Sequence, residues 1–473
     1  MTTGSTRLLA LVLSGLLAGC AGTGGGSAAG RQLVLADDGQ SEIEVGGGWE
    51  TRPNISRKAQ IRLADVEQDH YLLVNTYRPE ESKSATLEAF AQNLSAAIFE
   101  NLGEGTVSEA RALKLGERPA VEYEMRTGER DDGIIYLSTV VQGQRARYHL
   151  LAWTSADGDV AALRRAVAGF RESATAREPL RRVTLEFNWP DRFKSQSSVH
   201  LKVNKRGEQY EMSGDMEASV RRISPEELLV STRVLRHKMT FANAGKDKAK
   251  EEFLQGVLRA SLTEVPDYVV NDDGELVRLE NLPAYHRRVQ NAILKALPAG
   301  GQREALERAR EFVQSSLTEE TLLTAFQEDW AESVGNWAGG AYVVGQVYRY
   351  TVPYRAPALG EAVFPMEVTQ QLAGHAPCRA GAAPQSCVRL VQTSRVTGRD
   401  YTRAMDAYVR KTVGNGVRVE AMEVVNTVEL LTDPRTLLPH ASKTKESKRV
   451  TLSAEGKTVV NEDTKDETTT YRY

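Results

Sequence analysis

Apolar and polar residues alternate with period two along most of this chain, and a few stretches switch to the 3.6-residue helical period. Residues 32–35 and 43–45 read as strands, broken by Gly46-Gly47-Gly48-Trp49, and 71–77 as the next strand. From about Thr86 the pattern predicts a helix with Leu87, Phe90, Ala91, Leu94, Ile98 and Leu102 on one face and Gly103 as its stop. Strands return at 118–125, 133–141 and 148–153, and a closing helix aligns Val160, Leu163, Val167 and Phe170. Trp49, Trp153 and Phe170 belong to the expected core.

A polar hinge at 174–179 separates this region from longer alternating segments at 182–188, 198–203, 209–223 and 228–241. Polar and apolar residues alternate here, so these strands have one wet and one dry face. The pattern turns helical from Lys246, with Phe253, Leu254, Val257, Leu258, Ser261 and Leu262 on one face, and again at 283–297, 302–316 and 319–334. In the third of these, Glu304 and Arg308 stand at i,i+4. Strands follow at 342–352, 361–372 and 387–396, a helix at 400–412, and three long strands at 417–431, 437–452 and 457–473. The charge runs 443–449 and 463–467, and Asp131-Asp132, read as solvated edges, where lysine discourages edge-to-edge pairing.

The first residues behave differently. Arg7 is the single charge before the run from Leu8 to Leu17. A bilayer needs roughly 20 apolar residues, and a run half that length suits the h-region of an export signal. The run closes on Leu17-Ala18-Gly19-Cys20, which resembles the bacterial lipobox. The resemblance implies a lipoprotein signal peptide at 1–19, cleavage before Cys20, a diacylglycerol on its thiol and a palmitate-like acyl chain on the new amino group. Three acyl chains exceed the two signals that stable anchoring requires. The expected location is therefore the bacterial cell envelope, and Ala21 in place of an aspartate points to the periplasmic face of the outer membrane. Residues 20–30 read as a flexible Gly/Ser tether.

Roughly 450 residues would remain after cleavage, more than one core normally holds. Losing Arg7 takes the formal net charge from −3 to −4, without the basic field that a nucleic-acid partner requires. The two remaining cysteines, Cys378 and Cys387, flank a short loop and read as a disulfide, worth roughly 2–3 kcal/mol on the chain-entropy model. A redox or metal pair would want C-x-x-C spacing and histidines, and only His375 is close in sequence.

Chemistry-bearing motifs are sparse. The seven histidines form neither H-E-x-x-H nor H-x-H and read as surface or strand-face residues. No G-x-S-x-G occurs, and the Gly-rich stretches at Gly22 and Gly46 lack the phosphate-loop pattern. Ser442 and Lys445 match S-x-x-K, but on a strand their side chains would point to opposite faces. Asn271, Asp273, Gly274 and Glu280 echo an EF-hand loop whose first position would be Val269; the stretch reads as a hairpin with an Asp-Gly turn. No catalytic residue, metal ligand or cofactor is assigned.

Gly48-Trp49, Thr86-Leu87-Glu88-Ala89-Phe90, residues 116–123 and 148–154, and Ala168-Gly169-Phe170 together resemble the PsbP-like family, which includes the DcrB-like envelope proteins. That resemblance implies an α/β/α sandwich over 31–173. The long strands of 180–473, the helical insert at about 246–335 and the strand–turn–strand Leu430 to Pro439 resemble the half-barrels of the LolA and LppX carriers. The expected fold class is thus α+β: a sandwich followed by a long-stranded antiparallel half-barrel. The first functional reading is a non-enzymatic, membrane-anchored lipoprotein that binds an apolar, lipid-like ligand or an envelope protein. A scaffolding lipoprotein with filled domains and a hydrolase stand second and third. A carrier needs a cavity lined by Leu, Val and Phe without buried charge; a scaffold needs packed domains and an exposed apolar patch; a hydrolase needs titratable groups in mutual reach.

Overall fold

The computed structural model describes residues 19–20, 30–82, 86–102, 104–128, 133–205, 208–241, 264–296, 307, 317–356, 359–360, 362–414, 416–454 and 457–473. Leu17, Ala18, the tether at 21–29, Gly103, Asp131-Asp132, the helix expected from Lys246, and the helix at 302–316 apart from Glu307 lie outside them. The described chain is α+β, dominated by large antiparallel sheets, and divides into two compact units. The first comprises Thr23–Thr184 and Gly339–Val352; the second comprises Met1–Gly22, Leu185–Ala338 and Pro353–Tyr473.

Gly19 and Cys20 form a two-residue strand, β1, paired with Arg355 and Tyr354 in the second unit. The first unit opens with β2 (Gln32–Leu35), β3 (Ser41–Val45), β4 (Glu50–Thr51), β5 (Ile61–Asp65) and β6 (His70–Tyr77), then α1 (Leu87–Leu102). After it come β7 (Gly105–Val107), β8 (Arg111–Leu115), β9 (Arg118–Thr127), β10 (Ile134–Gln142), β11 (Arg147–Ser155) and α2 (Val160–Ala168). Short strands β12 (Phe170–Glu172) and β13 (Arg182–Thr184) close it. The main sheet runs β4-β5-β6-β11-β10-β9-β7, with β8 also on β9. Parity along β9 and β10 divides the covering layers. Val121 and Val140 point to α1, whose Phe90 and Ala91 they bury. Ala120, Leu137 and Val141 point the other way, into the core with α2 residues Leu163, Ala166 and Val167. Both helices start on side-chain caps, Thr86 Oγ1 accepting from Ala89 N and Asp159 Oδ1 from Ala162 N.

Trp49 and Phe170 are buried as expected, but Trp153 is only half-buried and stacks on Tyr71 at 5.0 Å. His70 and His149, read as surface or strand-face residues, are both buried. His149 lies under α1, where Ser138 Oγ meets its Nε2 at 3.0 Å and itself accepts from Ser95 Oγ. Burial holds the His149 pKa down at about 4, so the ring is a neutral core group.

The second unit is built on β14 (Arg192–Lys205), β15 (Glu208–Ser224), β16 (Glu227–Phe241), β17 (Asp267–Asn271) and β18 (Leu276–Glu280), followed by α3 (Leu282–Ala296) and α4 (Glu319–Trp330). Helix α4 runs into one π-helical turn, Ala331–Gly335. The segment expected as one strand at 342–352 divides at a turn into β19 (Ala341–Val343), which pairs with β13, and β20 (Val347–Arg355). Then come β21 (Val363–Ala376), β22 (Cys387–Val396), α5 (Arg399–Val413), β23 (Val417–Thr432), β24 (Pro439–Ala454) and β25 (Lys457–Arg472). The twelve-stranded sheet has the order β1-β20-β21-β22-β23-β24-β25-β14-β15-β16-β17-β18. Strands β24 and β25 are therefore flanked on both sides by long neighbours. Their charge runs, expected at solvated edges, lie mid-sheet: alternation alone exposes Lys443, Lys445 and Arg449 and turns Glu446 and Lys448 to the other face.

The expected hairpin at β17–β18 turns at Gly274, which adopts φ +83 while Gly274 N donates to Asn271 O. A Cβ there would meet the Phe187 ring at 2.9 Å, so both the conformation and the close packing need glycine. Cys378 and Cys387 are joined in a disulfide. The histidine beside it is His440 of β24 rather than His375, and with both sulfurs bonded to each other only its ring nitrogens are left as ligands.

Candidate functional site

Residues directly opposite in neighbouring antiparallel strands share a face. One such row crosses the second unit's sheet through Ser394, Asn426, Glu446, Lys465, Val203 and Tyr210. The next runs through Gln392, Val428, Thr444, Glu467, Leu201 and Met212. This is the face that α4 covers. Asn426 Nδ2 donates to Glu332 Oε1 at 2.5 Å, and Asn336 Nδ2 donates to Gln392 Oε1 at 3.3 Å. Gln370 Nε2, fully buried on β21, donates to the same Gln392 oxygen at 2.8 Å.

The sequence sets α4 in place at both ends. Thr318 Oγ1 caps it by accepting from Thr321 N, and Glu319 and Glu320 in the first turn suit the positive end of the helix dipole. At the other end Trp330 packs edge-on against Trp189 at 5.3 Å, Phe187 at 6.1 Å and Tyr268 at 5.8 Å. Its Nε1–H donates to Gly274 O at 2.7 Å, which ties the helix to the β17–β18 turn. The π turn that follows carries Glu332 toward β23, one helical turn beyond Asp329.

The face changes character across the sheet. On β21–β23 it is closed: Leu372, Leu390, Leu430 and Val428 are buried beneath the amide row. On β14–β16 it is apolar but only half-covered, through Val199, Leu201, Val203, Met212, Met216 and Val234. Between them stand the charges. Lys465 Nζ meets Glu467 Oε2 at 3.1 Å and Lys448 Nζ meets Glu446 Oε1 at 2.6 Å, all four side chains keeping 20–31% of their surface in contact with solvent.

Burial raises the Asp329 pKa to about 6, only partly opposed by Lys465. Burial, then the charge of Asp329, raises Glu332 to about 7, against the pull of Lys465 and the Asn426 hydrogen bond. Burial works against the Lys465 ammonium, yet Glu467, Asp329 and Glu332 outweigh it and hold its pKa up. Asp329 is nevertheless exposed by surface area and Glu332 is intermediate. Both carboxyls are thus crowded by the neighbouring charges and strands while part of their surface stays in contact with solvent. The sheet face they meet is amphipathic: an apolar stretch on β14–β16, a charged stretch on β24–β25 and, above them, two carboxyls with raised pKa values.

Two open depressions lie on the opposite face, away from these groups. The larger, of about 870 Å³, is an open trough over Ser198, His200, Asp215 and Arg236, where Asp215 and Arg236 already pair at 2.6 Å. Ser442 lies on the face that α4 covers and hydrogen-bonds Tyr471, while Lys445 points away, as strand parity requires. Of the lipobox, Gly19 and Cys20 lie in β1.

The carboxyl shifts carry a prediction. Glu332 holds its proton to a higher pH folded than unfolded, so stability should fall as pH rises from about 4.5 to about 7 and stay reduced above it. A displacement of that size corresponds to roughly 3 kcal/mol in a dry site. Partial solvent contact lowers this to about 1–2 kcal/mol. Glu332→Gln keeps the acceptor for Asn426, so it should stabilise the protein by that amount at pH 8 and change nothing at pH 4 in denaturant unfolding. Parallel pH profiles for the two proteins would exclude the assignment.

No family model and no curated protein matches this chain. Among solved structures it is similar to one of lipovitellin that describes its lipid–protein interactions, at 7% identity and a TM-score of 0.28, over 61% of this chain. The chain spans about a quarter of that protein's length, covering 26% of it, and a likeness this slight decides neither fold nor function.

Proposed function

We propose that this protein is a non-enzymatic lipoprotein of the bacterial cell envelope, anchored through acylated Cys20 on the periplasmic side of the outer membrane. In this reading its second unit is a half-barrel of the LolA and LppX kind, holding an amphipathic, lipid-like ligand, and its first unit is a PsbP-like sandwich. One observation carries the ligand reading. The helix-covered face of the long sheet joins a half-covered apolar wall (Val199, Leu201, Val203, Met212, Met216) to charged groups on β24, β25 and α4. An acyl chain would lie along the first and its polar head would meet Lys465, Glu332 and Asp329. The layers of the first unit, α1 on one face of its sheet and α2 on the other, support the sandwich reading.

Native mass spectrometry of a form secreted with a conventional cleavable signal, purified without detergent, tests the ligand reading. A bound mass that extracts as fatty acid or phospholipid is the expected result. Leu201→Glu, which puts a charge on the apolar wall, should remove most of that mass while leaving the chain folded. A bare wild-type chain would turn the reading toward a scaffold that works through its surfaces.

A further inference from the structure

Around Arg52 and Arg62 the first unit holds more guanidiniums than the carboxylates paired with them. Arg52 and Arg62 are opposite one another on adjacent strands, Arg52 N donating to Arg62 O at 3.0 Å, so their side chains leave the same face. Arg62 is 1% exposed and Arg52 8%. Tyr342, Tyr348 and Tyr350, from the segment that returns to this unit, are buried in the same region, with the Arg52 guanidinium 4.2 Å above the Tyr350 ring. Arg182 is the third cation, its Nη1 donating to Ala59 O at 2.9 Å and reaching Asp37 Oδ2 at 3.4 Å.

The partners are too few. Arg62 Nη2 is paired with Asp37, and Arg52 Nη2 donates to Glu50 Oε2 at 3.2 Å and Thr351 O at 2.6 Å. Glu50 also accepts from Thr351 N. That leaves Arg62 Nε, Arg62 Nη1 and Arg52 Nε buried without an acceptor. Three guanidiniums face two carboxylates, Asp37 and Glu50, an excess of one positive charge. Neighbouring Asp38 forms no ion pair with these arginines; its Oδ1 accepts from Gln40 N. Burial raises the pKa of both Asp37 and Glu50 and lowers that of Arg62, as expected of charges held away from water. A buried, unpaired guanidinium donor is costly, and native proteins fill such positions with water or an ion.

We infer that Arg52 and Arg62 hold a small inorganic monoanion of chloride's size inside the first unit. Charge selects the class: one negative charge balances the cluster, whereas a dianion would leave it negative. Spherical shape suits donors that come from two different side chains, and the tyrosines of 342–350 close the site over it. The ion would fasten the returning segment to strands β4 and β5.

The test is thermal unfolding of the full-length protein in detergent, in sodium bromide against sodium gluconate at equal ionic strength. Bromide should raise Tm saturably, by roughly 2–4 °C. Crystals grown in bromide should show an anomalous peak within hydrogen-bond reach of the Arg62 guanidinium, a result that needs no variant. Arg62→Met, if it folds, should abolish the bromide effect, and Arg52→Lys, which keeps the charge but removes Nε, should weaken it. Equal Tm in the two salts, an ordered water where the peak should be, or an undiminished bromide effect in Arg62→Met would each overturn the proposal.

Discussion

Cys20→Ala should move this protein from the membrane pellet to the soluble fraction. The expected effect is close to complete, because in the proposed reading the acyl chains on Cys20 are the anchor. Each buried methylene of an acyl chain contributes about 0.8 kcal/mol, so three chains make anchoring effectively irreversible while none leaves only weak surface forces. Those forces are unfavourable here: the mature chain would carry a formal charge of −4, which anionic lipid repels. Among the described residues no helix is long and apolar enough to cross a membrane. The measurement is fractionation of cells expressing either form, with alkaline carbonate extraction to remove peripheral protein. Metabolic labelling with a palmitate analogue should mark the wild type alone. If Cys20→Ala still pelleted and resisted carbonate, the lipobox reading would be lost and attachment would have to come from elsewhere in the chain.

The strands were legible because alternation is local. Residues 387–396 were read at the observed bounds, and the last three strands within two or three residues, since a period of two needs only neighbours to be seen. The disulfide was legible for the same reason, both cysteines flanking one loop. Partnership was not legible. The runs at 443–449 and 463–467 look like solvated edges because Lys443, Lys445, Arg449 and Asp466 are indeed exposed; only the order β23-β24-β25-β14 shows that Glu446, Lys465 and Glu467 share the face that α4 covers. Nothing in the local pattern of 319–334 singles out Asp329 or Glu332. Their raised pKa values arise from crowding by strands more than a hundred residues away in sequence. The π turn that aims Glu332 adds no recognisable residue pattern, and the division of 342–352 into β19 and β20 depends on a turn at Gly345 that alternation passes over. His149 shows the converse error. A lone histidine on an alternating strand reads as surface, and its neutral, buried state follows from Ser95 arriving on α1.

Trp337→Ala should be the most destabilising single substitution in the candidate site, costing about 3–5 kcal/mol. Trp337 comes one residue after the π turn, beyond Asn336, and is fully buried. Its Nε1–H donates to Glu332 O at 3.2 Å, and its backbone N–H to Val334 O at 3.0 Å. The next residue, Ala338, lies so close to Gly274 that a Cβ there would come within 3.1 Å of its own Cβ, so this corner joins the π turn to the β17–β18 hairpin. Truncation would leave an indole-sized void that backbone on both sides cannot readily fill. The loss should be local as well as large: hydrogen exchange should accelerate in 319–335 and 267–280, and remain unchanged in β5, β6 and β11 of the first unit. Trp337→Phe, which retains most of the volume and loses only the N–H donor, should cost about 1 kcal/mol. If α4 covers the ligand, the alanine variant should also lose its co-purifying lipid mass while the phenylalanine variant keeps it. Unaltered melting together with unaltered exchange in 319–335 would show that α4 is held by the aromatic cluster around Trp330 alone, and Trp330→Ala would then be the substitution that opens the site.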